Sequence, residues 1–123
     1  MTLPSPALAP ETSLTHPSRL FGALSDPARL RILNLIRHGR LVCNCEIGPI
    51  TGYIPSKISR HLTLLKQAGL LTETRSGTFI RYALAKPTDP LTRRVIALID
   101  LLASADPLLQ ADRAALDNQA CCV

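Results

Sequence analysis

Two pairs of cysteines carry the most distinctive chemistry in the chain: Cys43 and Cys45, separated by one residue, and Cys121 and Cys122, adjacent near its end. Thiolates are soft ligands, so such pairs select soft, thiophilic ions over magnesium or calcium. Met1 to Leu14 lacks the cationic start and unbroken apolar run of a signal peptide and contains Pro4, Pro6 and Pro10. The expectation is a cytoplasmic protein with reduced thiols, in which metal or redox chemistry is favoured over structural disulfides. The alternative for Cys43 and Cys45 is burial as small apolar side chains, a common fate of free cysteine.

A second chemistry is cationic. Ser56, Lys57, Ser59, Arg60 and His61 combine short polar side chains, which permit close approach, with long donors that reach base edges and phosphates. Farther on, Arg75 and Arg81 flank Ser76-Gly77 and are candidates for phosphate or minor-groove contact. The net charge of +5 suits a polyanionic partner, although ribosomal and membrane-surface proteins share that balance. His16 and His38 have no acidic or histidine partner at ligand spacing and are expected on the solvated surface. A small thiol metal carrier or redox enzyme is the alternative of another class, but no Cys-x-x-Cys, glycine-rich phosphate loop or nucleophile–base pair supports it. Two Phe and two Tyr are too few for the stacking platforms of RNA-binding folds.

The elements that position these residues follow from composition and spacing. A chain of 123 residues, 46% hydrophobic and only 3% aromatic, has material for one aliphatic core of packed helices. Asp26-Pro27 is a cap followed by a proline suited to the first helical position, and Gly39 supplies a stop. Between them Leu30, Leu33 and Ile36 form an apolar stripe, with Arg29, Arg31 and Arg37 left for solvent or phosphate. An earlier helix spans about Ser18 to Leu24. A second pattern runs from Pro55 to Ala68 with Ile58, Leu62 and Leu65 at i, i+4 and i+7. Joined to the preceding segment by Thr51-Gly52-Tyr53-Ile54, it reads as a helix-turn-helix. Leu70 to Arg75 and Thr78 to Leu84 then flank a hairpin turn, forming a wing.

The last clear helix opens at Asp89-Pro90. Its stripe is Leu91, Val95, Leu98 and Leu102, while Ile96, Ile99 and Leu101 fall outside it, so the helix is apolar on more than one face. Such a helix is either wholly buried or covered by a second copy, and the few elements available favour a homodimer. The longest apolar-rich run, Val95 to Ala105, falls short of the roughly 20 residues that span a bilayer, so no membrane partner is expected. The organisation is thus a disordered arm (1–14), a winged helix-turn-helix and dimerisation domain (15–105) and a tail (106–123) carrying the second cysteine pair. The fold class is mainly α with a small β-hairpin wing, dimeric through terminal helices.

Two blocks, Leu20-Phe21-Gly22-Ala23-Leu24-Ser25-Asp26-Pro27-Ala28-Arg29-Leu30-Arg31-Ile32-Leu33 and Lys57-Ile58-Ser59-Arg60-His61-Leu62-Thr63-Leu64-Leu65-Lys66-Gln67-Ala68-Gly69-Leu70-Leu71, resemble the ArsR/SmtB family of bacterial metal-responsive repressors. With the wing Arg75 to Tyr82 the resemblance covers roughly Leu20 to Leu102. It implies a winged-helix homodimer bound to double-stranded operator DNA until an inducer arrives, with His61 inside the DNA-reading motif. Metalloid-responsive members often carry Cys-x-Cys-x-x-Cys before the recognition helix; here Gly48 stands at the third position. Trivalent arsenic or antimony prefers three thiolates, and cadmium or lead would also select sulfur. A third ligand to complete Cys43 and Cys45 must then come from Cys121 or Cys122, of the same subunit or of its partner. On a regular helix residues i and i+2 point about 200° apart, so the Cys43–Cys45 segment is expected to be irregular or extended. Pro49, which is incompatible with a helix already running through Cys45, argues the same way. The family's acidic-and-histidine site on the last helix has no counterpart, because no histidine follows His61.

Overall fold

Asp26 opens the first long helix as a true cap: its Oδ1 accepts the Ala28 amide at 2.7 Å and the Arg29 amide at 3.3 Å, with Pro27 at the first helical position. Asp89 and Asp106 repeat the device, accepting the amides of Thr92 at 3.1 Å and Leu109 at 3.0 Å, each followed by proline. A cap of this kind stabilises a helix by about 1 kcal/mol. A computed structural model describes residues 11–119. After a 3-10 turn at Glu11–Leu14 come α1 (Thr15–Ala23), α2 (Pro27–Gly39), β1 (Val42–Cys43), α3 (Asn44–Thr51), α4 (Pro55–Gln67), β2 (Leu71–Ser76), β3 (Phe79–Leu84), α5 (Pro90–Ala105) and α6 (Pro107–Asp117).

The core forms where α2, α3 and α4 meet, around the fully buried Leu20, Ile32, Leu35, Ile36, Ile47, Ile58 and Leu65. The wing is an antiparallel hairpin whose two-residue loop, Gly77-Thr78, separates the paired Ser76 and Phe79. Gly77 takes φ 62°, which glycine adopts without steric cost. A third strand, β1, pairs antiparallel with β3 in the register Val42↔Tyr82 and Cys43↔Arg81, giving the order β1-β3-β2. At two residues it is too short to show the alternation by which a strand is read from sequence.

Three expectations change. Residues 11–14, assigned to a disordered arm, form the 3-10 turn. Residues 107–117, assigned to the tail, form α6, which lies along α2 and buries Leu109, Asp112 and Leu116. Polar latches hold it there: Asn34 Nδ2 donates to the Leu109 carbonyl at 3.0 Å, and Arg113 Nε donates to Asn34 Oδ1 at 2.6 Å. At its end, Val42 Cγ2 and Leu116 Cδ2 lie 2.6 and 2.8 Å from where a Cβ on Gly39 would sit, so α6 finishes against β1. Finally, α5 turns Thr92, Val95, Ile96, Ile99 and Ala103 inward and leaves Leu98, Leu101 and Leu102 exposed. Leu98 and Leu102 therefore part from Val95, and Ile96 and Ile99 join it, because a helix apolar on two faces gives no periodic sign of which face meets its own core. Among the described residues no helix is long and apolar enough to cross a membrane.

Candidate nucleic-acid interface and thiol pair

The turn between α3 and α4 is built from local chemistry. Gly52 closes α3 at φ 77°, and the Thr51 hydroxyl donates to the Ile47 carbonyl at 2.9 Å while accepting the Tyr53 amide at 3.2 Å. Pro55 then opens α4, whose face of Ile58, His61, Leu62 and Leu65 is buried. Ser56, Ser59 and Arg60 lie on the exposed face, and Lys57 is half-buried. The Lys57 ammonium sits 4.1 Å from the Tyr53 ring centroid, and the Arg31 guanidinium is 5.4 Å from the same centroid. Such cation–ring contacts fix a lysine's direction at modest energetic gain. In the wing, Arg75 is exposed and Arg81 half-buried, opposite Cys43 in the sheet.

His61 departs from its assignment to the groove-facing set. It is 6% exposed, and its Nδ1 lies 3.3 Å from Arg29 Nη1. Its spacing of i+3 from Ile58 and i−4 from Leu65 puts it on the apolar stripe of α4, a signal present in the sequence. Burial pushes the imidazole below its ordinary value, and the nearby positive charges of Arg29, Lys57 and Arg60 act the same way, opposed by Asp26.

The arginines assigned to solvent or phosphate are engaged within the fold. Arg29 donates to the carbonyls of Ala23 at 2.9 Å and Gly22 at 3.1 Å, tying α1 to α2. Arg31 makes a two-pronged pair with buried Asp112, at 2.8 and 3.0 Å, and reaches the Tyr53 hydroxyl at 3.4 Å. Those contacts raise Arg31 above its ordinary value, the Asp112 hydrogen bond first among them. Arg37 pairs with Asp100 at 2.9 Å. The two other histidines also have acidic neighbours, which sequence separation hides: His16 is 3.5 Å from Asp89, and His38 is 2.8 Å from Asp117.

Cys43 is the extended residue that caps α3, with φ −99° and ψ 163°, while Cys45 lies in the first turn. The helix therefore does run through Cys45 with Pro49 inside it, contrary to the expectation of a wholly irregular segment. The bend at Cys43 is enough. With Cα atoms 5.4 Å apart, the two sulfurs face one another and are joined as a disulfide, so this pair is not the reduced dithiol expected. Glu46 Oε1 accepts the Cys43 amide at 3.1 Å, and Asn44, between the cysteines, donates from Nδ2 to Ser59 Oγ at 3.1 Å. Asn44 and Tyr53 are the candidates that motif reading missed. Cys121 and Cys122 lie outside the described residues, among which no cluster of three or more His, Cys, Asp or Glu is placed to hold a metal ion. Once reduced to thiolates, two cysteines brought this close would suit a thiophilic guest that takes a further ligand from elsewhere.

Comparison with known proteins places this arrangement. The family profile described as "Bacterial regulatory protein, arsR family" matches residues 26–73, from the cap of α2 into β2. The chain is 36% identical over 73 residues to the "Arsenical resistance operon repressor" of Escherichia coli (strain K12), a match spanning 59% of this chain and 62% of that protein's length. It is 33% identical over 126 residues to the "Probable mercury resistance operon repressor" of Streptomyces lividans, covering 96% of this chain and 90% of that one. Among solved structures, the homodimeric winged helix-turn-helix DNA-binding domain of a possible ArsR-family transcriptional regulator from Mycobacterium bovis is similar with a TM-score of 0.64 at 27% identity, covering 81% of this chain and 91% of that one. These relatives are transcriptional regulators, not enzymes, and the fold is a winged helix-turn-helix. The chain belongs to the arsR family of bacterial regulatory proteins.

Proposed function

We propose that the protein is a transcriptional repressor that binds operator DNA as a homodimer and is released when Cys43 and Cys45, as thiolates, bind arsenite or antimonite. The observation that carries this reading is position: the two converging sulfurs stand at the head of α3, the helix that precedes the turn into α4. On DNA, α4 enters the major groove with Ser56, Lys57, Ser59 and Arg60, and Arg75 and Arg81 hold phosphates from the wing. The exposed Leu98, Leu101 and Leu102, with Leu108 of α6 nearby in sequence, supply the apolar surface a second copy would cover.

Cys121 or Cys122 supplies the third sulfur, from the same subunit. The end of α6 against β1 supports this, since the chain leaves α6 at Asp117 only four residues before Cys121. Four extended residues reach about 14 Å. The names of two relatives, for arsenical and for mercury resistance, both denote thiophilic elements, and cadmium and lead fall in the same ligand class. The Cys43–Cys45 disulfide favours a second reading, in which oxidation of the dithiol is itself the signal.

Fluorescence anisotropy with labelled DNA from upstream of the protein's own gene tests the docking. Arg60→Ala is expected to lose about 1–3 kcal/mol of operator affinity and to relax specificity, whereas Arg75→Ala weakens all sequences alike and flattens the salt dependence. Unchanged affinity in Arg60→Ala would exclude this docking. Release by diamide from the reduced complex, with no release by arsenite, would select the redox reading.

A further inference from the structure

Asn44 joins the thiol pair to the reading helix. Flanked by Cys43 and Cys45, it donates from Nδ2 to Ser59 Oγ at 3.1 Å and to the Pro55 carbonyl at 3.4 Å. The Pro55 carbonyl can only accept, so the amide nitrogen must face α4, and the side-chain orientation is fixed by chemistry. The Ser59 hydroxyl, having accepted from Asn44, turns its own hydrogen toward another acceptor. Ser59 lies on the exposed face of α4 and Pro55 is its first residue, so one side chain touches both the opening turn of α4 and one of its exposed hydroxyls.

The other side of the segment is anchored as well. Cys43 is held to β3 by its pairing with Arg81 and to α3 through Glu46, which accepts its amide. Asn44 is thus the first residue past the strand anchor, and its side chain spans to a different helix. Asn44 contacts Ser59 and Pro55 with the two sulfurs joined to each other; a guest held between the reduced thiolates and pulled toward a third ligand would spread them and turn the peptide units on both sides of Asn44, drawing its amide away from Ser59 and Pro55.

We propose that Asn44 is the positioning residue that transmits occupancy of the Cys43–Cys45 pair to α4, its side chain clasping Ser59 and Pro55 in the DNA-binding state and releasing them when the thiols are occupied. This rests on the reading of the pair as the inducer site. Asn44 ligates nothing itself. The clasp makes two predictions that a general stabilising role would not: its loss mimics the inducer, and its loss removes the response to the inducer.

The test uses the reduced chain, the upstream DNA and arsenite, with Asn44→Ala, the similarly shaped Asn44→Leu, which has neither donor nor acceptor, and Cys43→Ser. Operator affinity is measured with and without arsenite, arsenite affinity of the DNA-free protein by thiolate–arsenic ultraviolet absorption, and folding by thermal melting. For the wild type the two operator affinities are expected to differ by roughly 5–150-fold, the usual range for coupled sites. Both Asn44 variants are expected to bind arsenite as the wild type does, to hold DNA with close to the affinity of the arsenite-bound wild type, and to show a ratio near one. A cooperatively melting Asn44 variant that keeps the wild-type ratio overturns the clasp, as does one that loses arsenite binding, since Asn44 would then belong to the thiol site. A wild type indifferent to arsenite, or a Cys43→Ser protein that responds fully, overturns the inducer reading and the clasp with it.

Discussion

Arg29 and His61 meet at 3.3 Å, guanidinium Nη1 to imidazole Nδ1, in the corner where α1, α2 and α4 converge. Arginine can only donate, so Nδ1 accepts and the imidazole proton sits on Nε2. Because the same guanidinium donates to the Gly22 and Ala23 carbonyls, the neutral ring ties α4 to α2 and, through Arg29, to α1. A histidine inside a DNA-reading motif thus serves the fold.

That contact predicts a pH dependence. Desolvation, and then the charges of Arg29, Lys57 and Arg60, hold the folded His61 below the ordinary 6.5, against the pull of Asp26. The unfolded chain therefore binds the proton first, and stability falls as pH drops below about 6.5 toward the lowered folded value. His61→Asn keeps an acceptor for Arg29 and removes the titration. Urea unfolding at pH 7.5 and 5.5 should show a smaller acid loss in the variant than in the wild type; equal losses would mean His61 is protonated without penalty.

Arg40 predicts a gain. It holds φ 68° and ψ −42°, and Leu41 donates to the Gly39 carbonyl at 2.7 Å, making a γ-turn of the strained, positive-φ kind between α2 and β1. Backbone strain of this sort costs about 1–3 kcal/mol, and glycine's added chain entropy returns part of it. Arg40→Gly should raise stability by about 1 kcal/mol in chemical denaturation. A loss of stability would contradict the strain.

Asp112 predicts the opposite. Its carboxylate is 3% exposed as a residue and meets Arg31 by two hydrogen bonds, so Asp112→Ala leaves a largely buried guanidinium without its partner. The expected loss is about 3 kcal/mol. Arg31 also faces the Tyr53 ring that holds Lys57, so operator affinity should fall beyond what the folded fraction accounts for. Denaturation and anisotropy on the same preparation check both, and full affinity per folded molecule would detach α6 from the reading helix.

The elements that showed themselves in the sequence are those whose causes are local. Asp26-Pro27 and Asp89-Pro90 mark helix starts, Gly77 marks the wing turn, and Ile58, Leu62 and Leu65 mark the buried face of α4. Asp106-Pro107 is a third such pair, yet α6 stayed hidden because Asp112 interrupts its apolar face and the partner that makes its burial tolerable, Arg31, is 81 residues away. The cysteine pair and the cationic face of α4 were legible by type and spacing. Asn44 was not, because its contact exists only when Ser59, 15 residues on, is folded back against it.

Leu98 and Leu101 test the dimer. They are 54% and 64% exposed on α5, a size of apolar surface that a second copy would cover. Leu98→Glu is expected to shift sedimentation toward monomer at micromolar concentration and to weaken operator binding at the same time. A wild type that is monomeric with full operator affinity would refute the dimer.

The most direct test of the central claim is arsenite titration of the reduced operator complex, followed by anisotropy, for the wild type, Cys43→Ser, Cys45→Ser and a chain ending at Ala120. The account predicts release of the wild type at low arsenite, release by neither serine variant, and release of the truncated chain only at much higher concentration. Full release by both serine variants would contradict sensing at Cys43 and Cys45, and full release by the truncated chain would remove Cys121 and Cys122 from the site.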